Sequence, residues 1–278
     1  MAEITKLIHK YLRHDKRFPH VWCPGCGNGI LLGSLIRAID STGLDKDEIV
    51  IVSGIGCSGR ISVYVDFNTM HATHGRALTF ATGIKLANPR LSVIAIMGDG
   101  DATAIGGNHF IHAARRNLDL TAIVVNNNVY GMTGGQYSPT TPYGAFATTA
   151  LYGNIEHAFS ISELAMAAGA GMVSRGTVYH ASMLDGLIAG AILKRGFSVV
   201  EVISHCHTQF GRRNDMSSPV EMLRWQKDNA VRVEKVKEMT QEQLKGKFTI
   251  GVLADRDLPV YTEEYEKVRE AAKRSLES

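Results

Sequence analysis

The sequence predicts an α/β protein built on a doubly wound parallel sheet, and three observations carry that expectation. Short apolar runs alternate with helix-like segments across residues 30–203, the pattern of strands joined by crossover helices. In the clearest unit, the apolar run 91–97 stops at Gly98-Asp99-Gly100-Asp101, a helix-like segment spans 105–116, and a second apolar run, 120–125, stops at Asn126-Asn127-Asn128. A right-handed crossover sets these two strands parallel, which brings Asp99 and Asn127 to the same C-terminal edge of the sheet. Ligands bind at that edge in open α/β sheets.

Composition sets the outer limits. With 278 residues, 45% hydrophobic and 21% charged, the chain has enough apolar content for a large core, read as one main domain (1–206) and a C-terminal arm and extension (207–278). A net charge of +3 gives no case for nucleic acid. No apolar stretch reaches the roughly 18 residues of a membrane span. The first twenty residues lack a secretory apolar core, so the expected location is cytoplasmic.

In chain order, Trp22-Cys23-Pro24-Gly25-Cys26 precedes a helix over 30–39, whose Ile30, Leu31, Ser34, Leu35 and Ala38 keep helical spacing. A strand over 49–52 leads into Gly54-Ile55-Gly56-Cys57-Ser58-Gly59, and 60–70 reads as a mixed loop. His71-Ala72-Thr73-His74-Gly75-Arg76 then opens a small-residue helix, 77–87, closed by Asn88-Pro89. Histidines and an arginine at a helix N-terminus suit an anion, although ordinary hydrogen-bonded packing explains His71 equally well. Residues 130–153, rich in Gly, Thr, Tyr and Pro, start just after the Asn turn; a loop of this length reads as a cover over a site. Helices at 162–169 and 180–194 alternate with strands at 171–175 and 197–203. Residues 207–218 and the charged helical stretch 219–238 read as an exposed arm that packs on a partner subunit, with a solvated tail as the alternative, followed by an extension with an apolar run at 248–253 and a charged segment at 263–273.

Two sets of residues carry chemistry. Glycines beside an aspartate at a strand end let backbone N–H groups approach phosphate while the carboxylate holds a hard cation. Magnesium takes few protein oxygens plus phosphates, and one Asp, one Asn amide and one carbonyl suit it. A plain strand–helix–strand unit with Gly-Asp and Asn turns is the simpler explanation of either turn alone. The second set is Cys23, Cys26, Cys57 and Cys206, all the cysteines of the chain. Four thiolates suit a four-iron four-sulfur cluster or a structural zinc, and the Cys-x-x-Cys pair alone would also suit a dithiol.

The Gly98-Asp99-Gly100 and Asn126-Asn127 pair resembles the signature of the thiamine-diphosphate enzymes. Along nearly its whole length the chain is also similar to the beta subunits of the 2-oxoacid:ferredoxin oxidoreductases: CPGCG, GIGCSGR, THGRA, ATGIKLANP, GDGDA, GGNHFIHAARRN and YGMTGGQ occur in that family's order, followed by the late single cysteine.

The resemblance implies a sheet of the thiamine-diphosphate-binding type, with Asp99, Asn127 and the Val129 carbonyl on Mg²⁺. Gly98, Gly100, Asp101, Gly131, Met132 and Thr133 would line the cofactor, and Ile55, Gly56, Cys57 and Ser58 would meet it from the neighbouring strand end. His74 would contact it as well, and His74 and Asp101 are the catalytic candidates. Cys23, Cys26, Cys57 and Cys206 would hold one 4Fe-4S cluster. An alpha subunit would complete the site, forming a heterodimer that pairs again, with coenzyme A and a 2-oxoacid as substrates and ferredoxin as electron acceptor. Gly134 stands where some pyruvate-directed relatives have lysine, which favours 2-oxoglutarate over pyruvate or a branched 2-oxoacid. A thiamine decarboxylase without redox chemistry, a zinc-stabilised nucleotide-binding module and a non-catalytic electron carrier are the rival classes.

Overall fold

The computed structural model describes residues 2–15 and 19–277, so Met1 and Ser278, the outermost residues of the two predicted segments, and residues 16–18 lie outside the described residues. The strands are β1 (Ile49–Ser53), β2 (Asn68–His71), β3 (Ser92–Gly98), β4 (Thr121–Asn126), β5 (Val129–Tyr130), β6 (Gln136–Tyr137), β7 (Met172–Thr177), β8 (Ser198–Ile203), β9 (Ala230–Arg232) and β10 (Phe248–Asp255). The helices are α1 (Ala2–Tyr11), α2 (Gly27–Thr42), α3 (Ile61–Tyr64), α4 (Ala77–Ala87), α5 (Gly107–Arg115), α6 (Ile161–Ala167), α7 (Ala181–Leu193), α8 (Pro219–Asn229), α9 (Gln241–Leu244) and α10 (Tyr261–Glu277).

Eight strands form one sheet in the order β2-β1-β3-β4-β8-β7-β10-β9, and β5 and β6 form a separate small hairpin. Strands β1, β3, β4 and β8 run parallel and are covered on both faces, which is why they read as continuous apolar runs. Successive residues of each strand feed opposite cores. Ile51, Ile94, Ile96, Ile123 and Val200 pack with Leu31 and Leu35 of α2 and Leu184 and Ile188 of α7. Val50, Val52, Ala95, Val124 and Val199 pack with Leu78 and Ala81 of α4 and Phe110 of α5. The period of two in the strands thus builds a doubly wound sheet.

The structure departs from the expectation at the sheet edges and in the C-terminal quarter. Residues 60–70, read as loop, contain α3 and the edge strand β2, whose four residues are exposed or half-buried and so show no apolar run. Residues 219–238, read as helical, form α8, then β9 and a short 3₁₀ turn. The sheet is not wholly parallel, because β10 pairs antiparallel with β7. The sheet therefore continues past Cys206 into the segment read as an extension. The arm also packs on its own chain: Met222 and Gln226 are buried, and Trp225 stacks on Phe248 at 5.6 Å.

Parallel pairing sets the site. The register places Gly98 of β3 opposite Val125 of β4, and Ser53 of β1 opposite Ile96 of β3. The turns after β1, β3 and β4 therefore lie side by side along one edge.

Candidate active site

At that edge lies a cavity of about 200 Å³. It is lined by every residue assigned above to the cofactor and its metal, from Ile55–Ser58 and His74 through Gly98–Asp101 to Asn127 and Val129–Thr133. Tyr130 is the addition. Nothing in the composition singles out this aromatic residue, and its position directly after the Asn turn was the available signal. Its ring lies over Gly100, where an added Cβ would sit 2.2 Å from Tyr130 Cε1, and its hydroxyl donates to the Gly100 carbonyl at 3.3 Å. Gly100 is thus required by close approach.

Asp99 is buried, at 3% exposure. Its Oδ2 accepts from Ser138 Oγ at 2.6 Å and from Thr140 Oγ1 at 2.5 Å. Burial pushes its carboxyl up, and these hydroxyls and nearby backbone N–H groups oppose that shift. Asn127 Oδ1 accepts the Val129 N–H at 3.3 Å, which tightens the turn, and Asn128 takes φ 62°. Asn126 faces away from this role, since its Nδ2 donates to Glu201 Oε1 at 2.9 Å. One buried carboxylate, one amide and one carbonyl form a donor set suited to Mg²⁺ with phosphate oxygens. Among the described residues no three His, Cys, Asp or Glu side chains converge on a single metal ion, and this donor set needs only one of them.

Asp101 opens a π-helical turn, Asp101–Ile105, that precedes α5 where the sequence predicted helix from 105; such turns recur at functional sites. Its Oδ1 lies 2.6 Å from His74 Nδ1 and accepts the Gly75 N–H at 2.6 Å. An added Cβ on Gly54 would lie 1.6 Å from Asp101 Oδ2, so Gly54 makes room for the carboxylate. Burial pushes the Asp101 carboxyl up against the Gly75 N–H and His74, which lower it. His71 ends β2 on the exposed edge and does not line the cavity, and Arg76 donates to the Gly75 and Ile105 carbonyls. Of the predicted anion-binding group, only His74 reaches the cavity.

The cover loop folds over the site as a hairpin plus a buried strap. Ser138, Thr140 and Thr141 are buried, and Thr141 Oγ1 donates to the Asn128 carbonyl at 2.6 Å.

The four cysteines are free thiols; Cys23 is exposed and the others half-buried. They come from three separate parts of the fold, the turn before α2 and the turns after β1 and β8. Thr208 Oγ1 lies 3.8 Å from Cys23 Sγ and 3.6 Å from Cys206 Sγ, while an added Cβ on Gly131 would lie 3.2 Å from Cys206 Sγ and 4.0 Å from Cys57 Sγ. Asn28 Nδ2 donates to Cys26 Sγ at 3.5 Å, and Trp22 Nε1 to the Cys57 carbonyl at 2.7 Å. Burial pushes the Cys26 and Cys57 thiols up to about 11, and the charge of neighbouring cysteines adds to it. A larger cavity of about 580 Å³ lies on the far side of the Asn turn and shares only Asn127 with the first.

A doubly wound sheet with these turns at its C-terminal edge is the scaffold of the thiamine pyrophosphate enzymes, and the family model for the C-terminal TPP binding domain of those enzymes matches residues 54–202. Within that class the chain belongs to the family of 2-oxoacid:ferredoxin oxidoreductase beta subunits that includes the 2-oxoglutarate synthase subunit KorB. It is 53% identical to that subunit from Methanothermobacter marburgensis over 250 residues, covering 90% of this chain and 87% of the relative. It is 48% identical to the same subunit from Methanocaldococcus jannaschii, covering 95% and 97%. Among solved structures, a 2-oxoglutarate:ferredoxin oxidoreductase from Magnetococcus marinus with 2-oxoglutarate, coenzyme A and succinyl-CoA bound matches with a TM-score of 0.85 and 31% identity, over 96% of this chain and 90% of that one.

Proposed function

We propose that this chain is the beta subunit of a 2-oxoglutarate:ferredoxin oxidoreductase, which converts 2-oxoglutarate and coenzyme A to succinyl-CoA and CO₂ and reduces ferredoxin, or runs as reductive carboxylation in reverse. One observation carries the reading. Cys57 lines the cavity of the Gly-Asp-Gly and Asn turns, and Gly131 on another wall abuts Cys206 and Cys57. Two cofactor sites with a common wall suit oxidative decarboxylation, whereas a decarboxylase without redox chemistry has no use for the cysteines.

In this reading Asp99, Asn127 and the Val129 carbonyl hold Mg²⁺ against a diphosphate. Ile55–Ser58, Gly98, Gly100, Asp101 and Gly131–Thr133 enclose thiamine diphosphate, and Cys23, Cys26, Cys57 and Cys206 hold one 4Fe-4S cluster. The cofactors supply the carbanion chemistry of decarboxylation and single-electron transfer, and the protein orients them. Cys23 and Cys206 meet at Thr208, and Cys206 and Cys57 flank Gly131; together with the thiamine-type cavity beside them, this supports an electron-transferring cluster over a structural zinc. His74 and Asp101 form the acid–base pair, with Asp101 orienting the ring through Nδ1.

Exposed Ile55 and Met132 at the cavity mouth support an alpha subunit as the second wall, in a heterodimer that pairs again. Gly134 leaves this turn without the lysine charge that some pyruvate-directed relatives carry there, and the similarity to the 2-oxoglutarate enzymes supports 2-oxoglutarate as the substrate. Among the described residues no helix is long and apolar enough to cross a membrane. We read the enzyme as cytoplasmic.

The test is to express the chain with and without its alpha subunit and to measure CoA-dependent ferredoxin reduction. The complex turns over 2-oxoglutarate and contains iron and thiamine diphosphate, and the beta chain alone is inactive, because misplacement by about 1 Å already costs on the order of 100-fold. A complex without iron overturns the redox reading, and a preference for pyruvate or a branched 2-oxoacid overturns the substrate.

A further inference from the structure

The strap 138–141 joins the two turns that flank the proposed cation. Ser138 Oγ and Thr140 Oγ1 both donate to one oxygen of Asp99, Oδ2. Thr141 Oγ1 donates to the Asn128 carbonyl and accepts the Ser138 N–H at 2.8 Å. All three hydroxyl residues are at most 3% exposed, so their hydrogen bonds are made inside the protein. The strap is itself pinned from outside by Asn154, whose Nδ2 donates to the Thr141 carbonyl at 2.8 Å, and by the Phe159 N–H, which donates to the Pro139 carbonyl at 2.7 Å.

Two donors on Oδ2 fix the rotation of a carboxylate that lines the cavity. We propose that Ser138 and Thr140 are positioning residues for the divalent cation: they hold the Asp99 carboxylate in its metal-binding orientation and so tie the cover loop to metal occupancy. The inference rests on the reading of Asp99 as a Mg²⁺ ligand. It follows from the general behaviour of metal sites, in which partners that orient a ligand are worth about 10–100-fold in metal affinity. The tie to the loop has a geometric basis, because the hydroxyls on Asp99 belong to the segment that closes the site.

The test uses the full chain in complex with its alpha subunit and Mn²⁺ as a spin probe, with free Mn²⁺ counted by electron paramagnetic resonance in the presence of thiamine diphosphate. Thr140→Val and Ser138→Ala each weaken Mn²⁺ binding by about 10–100-fold, and Thr140→Ser restores affinity to within about threefold of wild type, since the donor is kept. Melting of the cofactor-free complex is the second readout. A purely structural strap lowers that melting temperature and leaves affinity unchanged, and this result overturns the proposal. Should Thr140→Val fail to fold, Ser138→Ala and Thr140→Ser carry the comparison. Asp99→Ala separates the two layers: if it keeps cation-dependent thiamine diphosphate binding, the ligand reading of Asp99 is wrong. If it loses that binding while Ser138→Ala and Thr140→Val keep theirs, only the positioning inference fails.

Discussion

His74 and Asp101 meet through Nδ1 and Oδ1 at 2.6 Å, and the same carboxylate oxygen accepts the Gly75 N–H at 2.6 Å. One partner is half-exposed in the cavity and the other buried. The two substitutions therefore separate. His74→Ala leaves the melting temperature of the complex nearly unchanged and lowers turnover by about 10²-fold or more, as for loss of an acid–base group. Asp101→Ala leaves the buried Gly75 N–H without its acceptor and destabilises the fold by about 1–3 kcal/mol. Thermal melts beside steady-state kinetics check both, and wild-type turnover of His74→Ala would remove His74 from the chemistry.

Cys57→Ser loses iron and ferredoxin reduction in the assembled complex, because a hydroxyl is a poorer iron ligand than a thiolate. Iron analysis after anaerobic purification is the check, and full iron content would strike Cys57 from the ligands.

In the chain without a cluster, Cys26 and Cys57 keep their protons up to about pH 11, whereas an ordinary thiol releases its proton near 9.0. Between these values the folded chain binds more protons than the unfolded one, so stability falls as pH rises from about 9 toward about 11. Exposed Cys23 reacts with iodoacetamide before these two at pH 8. Reaction of Cys26 and Cys57 speeds up about tenfold per pH unit below their pKa, and peptide mass spectrometry reads the order.

Gly100→Ala drives a methyl into the Tyr130 ring, 2.2 Å away. Either the ring or the Gly-Asp-Gly turn must move, at a cost of about 1–3 kcal/mol. Thiamine diphosphate binding by calorimetry weakens with it, and wild-type affinity would show that Tyr130 swings aside without consequence for the cavity.

Glu201 sits behind the Asn turn and accepts from Asn126 Nδ2, from Ser162 Oγ and from Arg175 Nε at 2.8 Å, all buried or nearly so. Glu201→Ala strands the Arg175 charge and costs about 3–5 kcal/mol. Chemical denaturation measures it; a cost below about 1 kcal/mol would mean that water replaces the carboxylate.

The central strands and their turns were legible because their signals are local. The apolar runs ending at Gly98, Asn126 and Ile203 report burial on both faces, and the Gly-Asp and Asn turns report backbone chemistry within a few residues. The edge strand β2 was not legible, since its half-exposed residues carry no apolar pattern, and β9 was hidden inside a charged stretch. The antiparallel sense of β10 was beyond reach for another reason: a run of apolar residues has no direction.

The sequence by itself determined the central parallel strands and the Gly-Asp and Asn turns at their edge, because parallel pairing brings those strand ends together, while the family resemblance supplied most of the residues that line the cavity. Only the tertiary structure decided how those turns are held. The hydroxyls of Ser138 and Thr140 on Asp99, the Tyr130 ring over Gly100, the carboxylate of Glu201 behind Asn126 and the meeting of Cys23 with Cys206 at Thr208 join residues far apart in the chain. No local preference encodes such contacts. They follow from packing around a core whose shape is set once all the strands are in place.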